Sequence, residues 1–278
     1  GLFRTASAPG WLIMLPGPPR ELRPMFSESV IPLLQRVFPA PQHFACKTFR
    51  TCGVGESMVQ ERIEKPMQTL VDAGLELGYC ARPGQVDVRL VATGAKATEL
   101  VKSAEAVLRT HLSESIYAEG DEGLEDIVIR LLTQQKRTVA VAESCTGGFI
   151  THRLTNVPGA SAVFKGGFVT YSNELKQRIL GVRAETLSGH GAVSEAVARE
   201  MAEGARRISE SDYAISTTGI AGPDGGTPEK PVGTVFIALA NSKETRVWKM
   251  FNPWDRVTFK DVTAEQALNQ LRLSLAGI

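Results

Sequence analysis

Apolar positions in the second half of the chain follow two alternating rhythms. Leu124, Ile127, Val128, Leu131 and Leu132 recur at the spacing of one helix face, ahead of the basic pair Lys136-Arg137. The short apolar stretch 138–142 then has the length of a buried strand. Similar runs predict strands over 167–171, 213–217, 234–239 and 245–251, and helices over 173–180, 194–208 and about 262–275. Strands alternating with helices in this order predict a three-layer α/β sandwich. Upstream the pattern is βαββα: a strand at 47–50, a helix over 56–73 with Met58, Ile63 and Leu70 on its apolar side, strands over 75–81 and 86–92 joined around Pro83-Gly84, and a helix carrying Leu100, Ala104, Val107 and Leu108. The front of the chain reads as a strand over 11–15, a turn at Pro16-Gly17-Pro18-Pro19 and a helix over about 21–37, with an edge at Pro39-Ala40-Pro41. A lone strand and helix cannot enclose a core, so this segment must pack on something else. The expected fold is therefore α/β, divided at 1–41, 42–120 and 121–278.

Composition narrows the partners more than the fold. Lys and Arg number 31 against 30 Asp and Glu, a formal net charge of +1, so no global field invites nucleic acid or an anionic membrane. With 43% hydrophobic and 22% charged residues over 278 positions, the chain has the makeup of a globular protein with substantial cores. Its longest clean apolar runs are far below the roughly 20 residues that span a bilayer, and no basic stretch leads into an apolar block near Gly1. The four cysteines (Cys46, Cys52, Cys80, Cys145) include no C-x-x-C pair, and the four histidines are scattered. The expectations are a cytoplasmic protein with neither a structural metal nor a disulfide framework.

Three clusters carry chemistry. A-E-S-C-T-G-G at 142–148 puts a hydroxyl and a thiol at a strand-to-helix turn, where free N–H groups can stabilise an oxyanion or a phosphate. Ser144 and Thr146 either act there or simply cap the helix. Y-S-N-E-L-K at 171–176 has Tyr171 closing a strand, Asn173 as an N-cap and Lys176 in the first helical turn. A lysine desolvated at that place serves as a base, whereas a solvated one is an ordinary surface residue. T-T-G-I-A-G-P-D-G-G at 217–226 is a glycine-rich loop following a strand, open to a phosphate or to a purely structural role. The turn Gly53-Val54-Gly55 resembles a nucleotide loop only in its two glycines.

Together with H-G-A-V-S-E and K-P-V-G-T-V, these stretches make the block from about Leu124 to the C-terminus resemble the C-terminal domain of the CinA (competence/damage-inducible) family. The resemblance implies a nicotinamide mononucleotide deamidase, an amidohydrolase that yields nicotinic acid mononucleotide and ammonia through a serine acyl-enzyme. Carried over, Ser144 is the nucleophile, Lys176 the base and Tyr171 an assistant. Cys145, Thr146, Gly147, Thr218, Gly219 and Arg256 are expected to bind substrate, with no metal and no cofactor. Residues 15–26 look like the close of the family's molybdopterin-binding-like first domain, and 43–120 like its middle domain. The glycine-rich phosphate loop of the family's metal-dependent ADP-ribose pyrophosphatase has no counterpart in this sequence, and Val257-Thr258-Phe259-Lys260 departs from the pattern usual after Arg256. The implied partner is a small-molecule nucleotide rather than nucleic acid or membrane, and the protein is expected to be a homo-oligomer. The rival expectation is a nucleotide-sensing or scaffold protein whose deamidase site has decayed.

Overall fold

The computed structural model describes residues 2–4, 11–38 and 44–278. It is a mixed α/β structure with two principal sheets. At the front, β1 (Leu2–Arg4) pairs antiparallel with β2 (Trp11–Ile13). The expected helix runs from α1 (Pro19–Met25) through a π-helical segment, Phe26–Val30, into α2 (Ile31–Val37). Pro32 supplies no N–H to the helical ladder, and the widened turn sits immediately before it. The edge expected at Pro39-Ala40-Pro41 lies outside the described residues.

The second unit departs from the expected βαββα order by one strand. It comprises β3 (Phe44–Cys52), α3 (Glu56–Asp72), β4 (Leu75–Arg82), β5 (Gln85–Thr93), α4 (Ala97–Leu112) and β6 (Ile116–Glu119), with strand order β4-β5-β3-β6. At four residues, β6 is too short to show an alternation of its own. It is held by pairing to β3 and by burial of Tyr117 and Ala118. Phe49, Val88 and Leu90 from the sheet pack with Val59, Ile63 and Met67 of α3 and Leu108 of α4.

Residues 124–276 form the expected sandwich. The chain runs α5 (Leu124–Gln135), β7 (Val139–Glu143), α6 (Phe149–Thr155), β8 (Phe164–Val169), α7 (Asn173–Leu180), α8 (Ala184–His190), α9 (Glu195–Ser209), β9 (Tyr213–Gly219), β10 (Thr234–Ala240), β11 (Thr245–Phe251) and α10 (Arg256–Ala276). The sheet order is β11-β10-β9-β7-β8, with β8, β7 and β9 parallel, β10 antiparallel to β9 and β11 antiparallel to β10. Because side chains alternate along a strand, the two faces differ in size. Val139, Val141, Ile215, Val235, Ile237 and Leu239 pack beneath α5 and α10. Ala140, Ala142, Ala214 and Ala238 face α9, whose Ala198, Ala202 and Ala205 allow close approach.

The tightest approach on that side is at Gly204, where a Cβ would lie 2.0 Å from the carbonyl oxygen of Leu180. An exposed Gly→Ala change within a helix ordinarily stabilises by about 1 kcal/mol. Gly204→Ala is expected to destabilise instead, by about 1–3 kcal/mol, because backbone must move to admit the methyl group. A fall in urea midpoint at unchanged slope checks this; a rise would contradict the packing.

The last helix, α10, starts six residues earlier than its sequence pattern suggests. Phe259, Val262, Ala264, Leu268, Leu271 and Arg272 are all buried, on several sides of the helix, so no single apolar stripe marks it. It stands between the two sheets. Gln85 donates to Glu265, Arg272 donates to the Glu114 carbonyl, and the carboxylate of Glu265, 5% exposed, also pairs with Arg153 at 2.7 Å. Gly53-Val54-Gly55 lies on the rim of a cavity of about 480 Å³ against this helix. Among the described residues, no helix is long and apolar enough to cross a membrane.

Candidate active site

The first cluster folds differently from the simple strand-to-helix turn. β7 ends in Glu143, a loop spans 144–148, and α6 begins only at Phe149. Glu143 is completely buried. One of its carboxylate oxygens accepts from the amides of Gly148 (3.0 Å) and Ile150 (3.1 Å), and the other from Thr151 (2.9 Å). A buried carboxylate requires such donors, and this one consumes the helix N-terminus that the sequence suggested for an oxyanion or phosphate. Ser144 is tied to the next strand by its own amide, which donates to the Thr217 carbonyl at 3.0 Å.

The second cluster supplies the base. β8 ends at Val169, so Tyr171 lies in the following loop rather than closing the strand. Ser172, not Asn173, caps α7, its hydroxyl accepting from the Leu175 amide at 3.1 Å. Lys176 is 1% exposed, against the reading of a solvated helix lysine. Its Nζ donates to Ser144 Oγ (3.1 Å), the Thr170 carbonyl (3.0 Å) and the Tyr171 carbonyl (3.1 Å). Burial holds its pKa below the ordinary lysine value of 10.5. The nearby Cys145 opposes that shift.

The remaining expected site residues separate into two groups. Tyr171 is 61% exposed, and its hydroxyl accepts from Arg256 Nη2 at 2.9 Å. Arg256 Nη1 donates to the Gly222 carbonyl, also at 2.9 Å, so this guanidinium ties the tyrosine loop to the glycine-rich loop. The other group turns inward. Thr146 Oγ1 bonds Thr217 Oγ1 at 2.8 Å, and Thr218 Oγ1 donates to the Ala192 carbonyl at 2.7 Å. Cys145 is buried, which pushes its thiol up to about 12 although Thr217 and the main chain of Cys145 and Thr146 favour the thiolate. Gly219 ends β9 where a Cβ would meet the Thr234 carbonyl at 2.8 Å, and Gly147 adopts a positive φ of 62°. The structure thus brings Ser144 and Lys176 into contact and joins Tyr171 to Arg256. It leaves the Cys145, Thr146 and Thr218 side chains occupied by protein.

Sequence reasoning missed Glu143 and Asp255. A lone carboxylate ending an otherwise apolar strand is the signal for the first. Asp255 caps α10 by accepting from the amides of Val257 (2.9 Å) and Thr258 (3.2 Å), which fixes Arg256 as the first helical residue.

Residues 121–275 match the family description "CinA C-terminal domain", and residues 46–118 match "Damage-inducible protein CinA KH domain". The chain belongs to the CinA family. A CinA-like protein of Akkermansia muciniphila is 46% identical over 258 residues, covering 92% of this chain and 60% of the relative. Another, from Syntrophus aciditrophicus, is 46% identical over 273 residues, covering 96% and 64%. The chain therefore spans less than two thirds of the length of these two curated relatives. Among solved structures, a CinA superfamily protein of Klebsiella pneumoniae has 35% identity and a TM-score of 0.54, covering 56% of this chain and 97% of its own. The competence/damage inducible protein CihA of Agrobacterium tumefaciens has 40% identity and a TM-score of 0.53, with coverage of 56% and 97%.

Proposed function

We propose that this CinA-family chain is an amidohydrolase that converts nicotinamide mononucleotide to nicotinic acid mononucleotide and ammonia through an acyl-enzyme on Ser144. The observation that carries the chemistry is the buried Lys176 amine 3.1 Å from Ser144 Oγ. The substrate follows from the resemblance of the three loops to those of the family. In its neutral form Lys176 offers a lone pair, so it takes the hydroxyl proton as Ser144 Oγ attacks the carboxamide carbon. The two main-chain carbonyls at 170 and 171 hold the amine by its two remaining hydrogens and fix its direction. Lys176 then returns the proton to the leaving nitrogen, and ammonia departs. A water molecule, losing its proton to the same amine, attacks the ester carbonyl, which releases the carboxylate product and restores the serine. Tyr171 contributes its carbonyl to the lysine, while its hydroxyl, held by Arg256, belongs to the substrate side.

This scheme uses no metal or cofactor. Among the described residues, no group of three or more His, Cys, Asp or Glu side chains is placed to hold a metal. The direct test incubates the purified chain with nicotinamide mononucleotide in excess chelator and follows ammonia together with the acid nucleotide. One ammonia per nicotinic acid mononucleotide, undiminished by chelator, is the expected outcome. No turnover would return the chain to the scaffold or sensing alternative, and turnover abolished by chelator but restored by a divalent metal would remove the serine–lysine mechanism.

A further inference from the structure

The substrate proposed above has an anionic phosphate at the end remote from its carboxamide, and the helix terminus that could have received it is occupied by Glu143. Arg256 is the obvious cation, yet two of its guanidinium nitrogens are engaged with the Gly222 carbonyl and the Tyr171 hydroxyl. One turn further along α10, on the same helix face, stands Lys260. Its ammonium overhangs the nucleophile loop, since a Cβ on Gly147 would lie only 3.7 Å from Nζ. Gly147 keeps that space open, and at its positive φ of 62° any side chain would be strained.

Lys260 is half-buried and has no hydrogen bond or ion pair among the described residues. Uncommitted and beside the nucleophile loop, this ammonium is placed to pair with an anionic group of a ligand. Glu143, whose carboxylate accepts from three amides beneath the loop, forms no ion pair with Lys260. Asp255, at the start of the same helix, is spent on the Val257 and Thr258 amides. The Gly147 amide donates to the Ser144 carbonyl at 3.2 Å, closing a turn. Such a turn keeps its end Cα atoms within about 7 Å, so a ligand gripped above Gly147 lies beside the nucleophile without covering it.

We infer that Lys260 binds the substrate's phosphate and makes this site prefer a mononucleotide over the corresponding riboside. The inference rests on the deamidase reading. Arg256 acts alongside it chiefly as a clamp between two loops, and Lys260 supplies the uncommitted charge.

The experiment compares kcat/KM for nicotinamide mononucleotide and nicotinamide riboside in the wild type, Lys260→Met and Lys260→Arg. Lys260→Met is expected to lower the mononucleotide-to-riboside ratio about 10- to 100-fold, as befits the loss of a charge-assisted contact, and Lys260→Arg to preserve most of it. As a second readout, inorganic phosphate should compete with the mononucleotide in the wild type, with an inhibition constant at least several-fold weaker in Lys260→Met. A ratio and a phosphate inhibition constant both unchanged in Lys260→Met, in a wild type that does deamidate the mononucleotide, would overturn the Lys260 assignment alone. A wild type that releases no ammonia would overturn the deamidase reading and this assignment with it.

Discussion

Ser144→Ala is expected to lower deamidation by about four orders of magnitude or more, as loss of a nucleophile does when the rest of the site remains. Cys145→Ala, one residue along, is expected to keep most of the activity. The contrast is sharp because the two side chains, both buried, have different partners. Ser144 Oγ receives a hydrogen bond from Lys176, whereas the Cys145 thiol is buried and pushed up to about 12. At neutral pH such a thiol carries almost no thiolate, and it packs as a small apolar group. Steady-state ammonia release by both variants checks this, with a thiol alkylating agent as a parallel probe of the wild type. An inactive Cys145 variant beside an active Ser144 variant would make the chemistry thiol-based.

The second large effect belongs to Lys176→Met, which keeps an unbranched apolar stem and removes the amine. A loss of about 10²- to 10⁴-fold in kcat is expected, the usual contribution of general acid–base catalysis. Binding of the nucleotide should be much less affected. The pH profile gives an independent signature. The active form is the neutral amine, so wild-type kcat/KM should rise with pH as Lys176 releases its proton and level off below the ordinary lysine value of 10.5, because burial lowers its pKa. That limb should vanish in the variant. The same displacement has a stability consequence of defined sign: between the lowered folded value and the ordinary one, the unfolded chain binds the proton and the folded chain does not. Stability from this group therefore rises with pH across that window. A variant with wild-type turnover and an intact limb would return Lys176 to a packing role.

Much of the sandwich was legible because its strands are short apolar runs bounded by glycine-rich turns, and because α9 carries a clear stripe. The three strand-end clusters were legible too, since small, polar and glycine residues directly after a strand mark the edge where loops gather. Features defined by partners distant in sequence leave no such local signal. β6 exists through its pairing with β3, and α10 hides its periodicity by packing on more than one side. Glu143 looked like a flank of the serine loop, yet its carboxylate organises the turn by drawing three amides onto itself. The resemblance implies that Tyr171 assists Ser144 and Lys176, and in the fold its hydroxyl is held by Arg256, 85 positions away. No local pattern encodes that pairing, which depends on how the sheet order brings two loops together.

The ties across α10 also bear on how a substrate can enter. The Glu265 carboxylate is shared between Gln85 of the four-stranded unit and Arg153 of α6, the helix that follows the nucleophile loop. A hinge opening between the two sheets would break the Gln85–Glu265 and Arg272–Glu114 hydrogen bonds, and a hydrogen bond to a charged group contributes about 1.5–3 kcal/mol. A jaw-like motion of the two halves is thus a poor route to the site. The loops at the sheet edge are tied more lightly: Arg256 joins the Tyr171 hydroxyl and the Gly222 carbonyl through two hydrogen bonds, and parting them would disturb neither core.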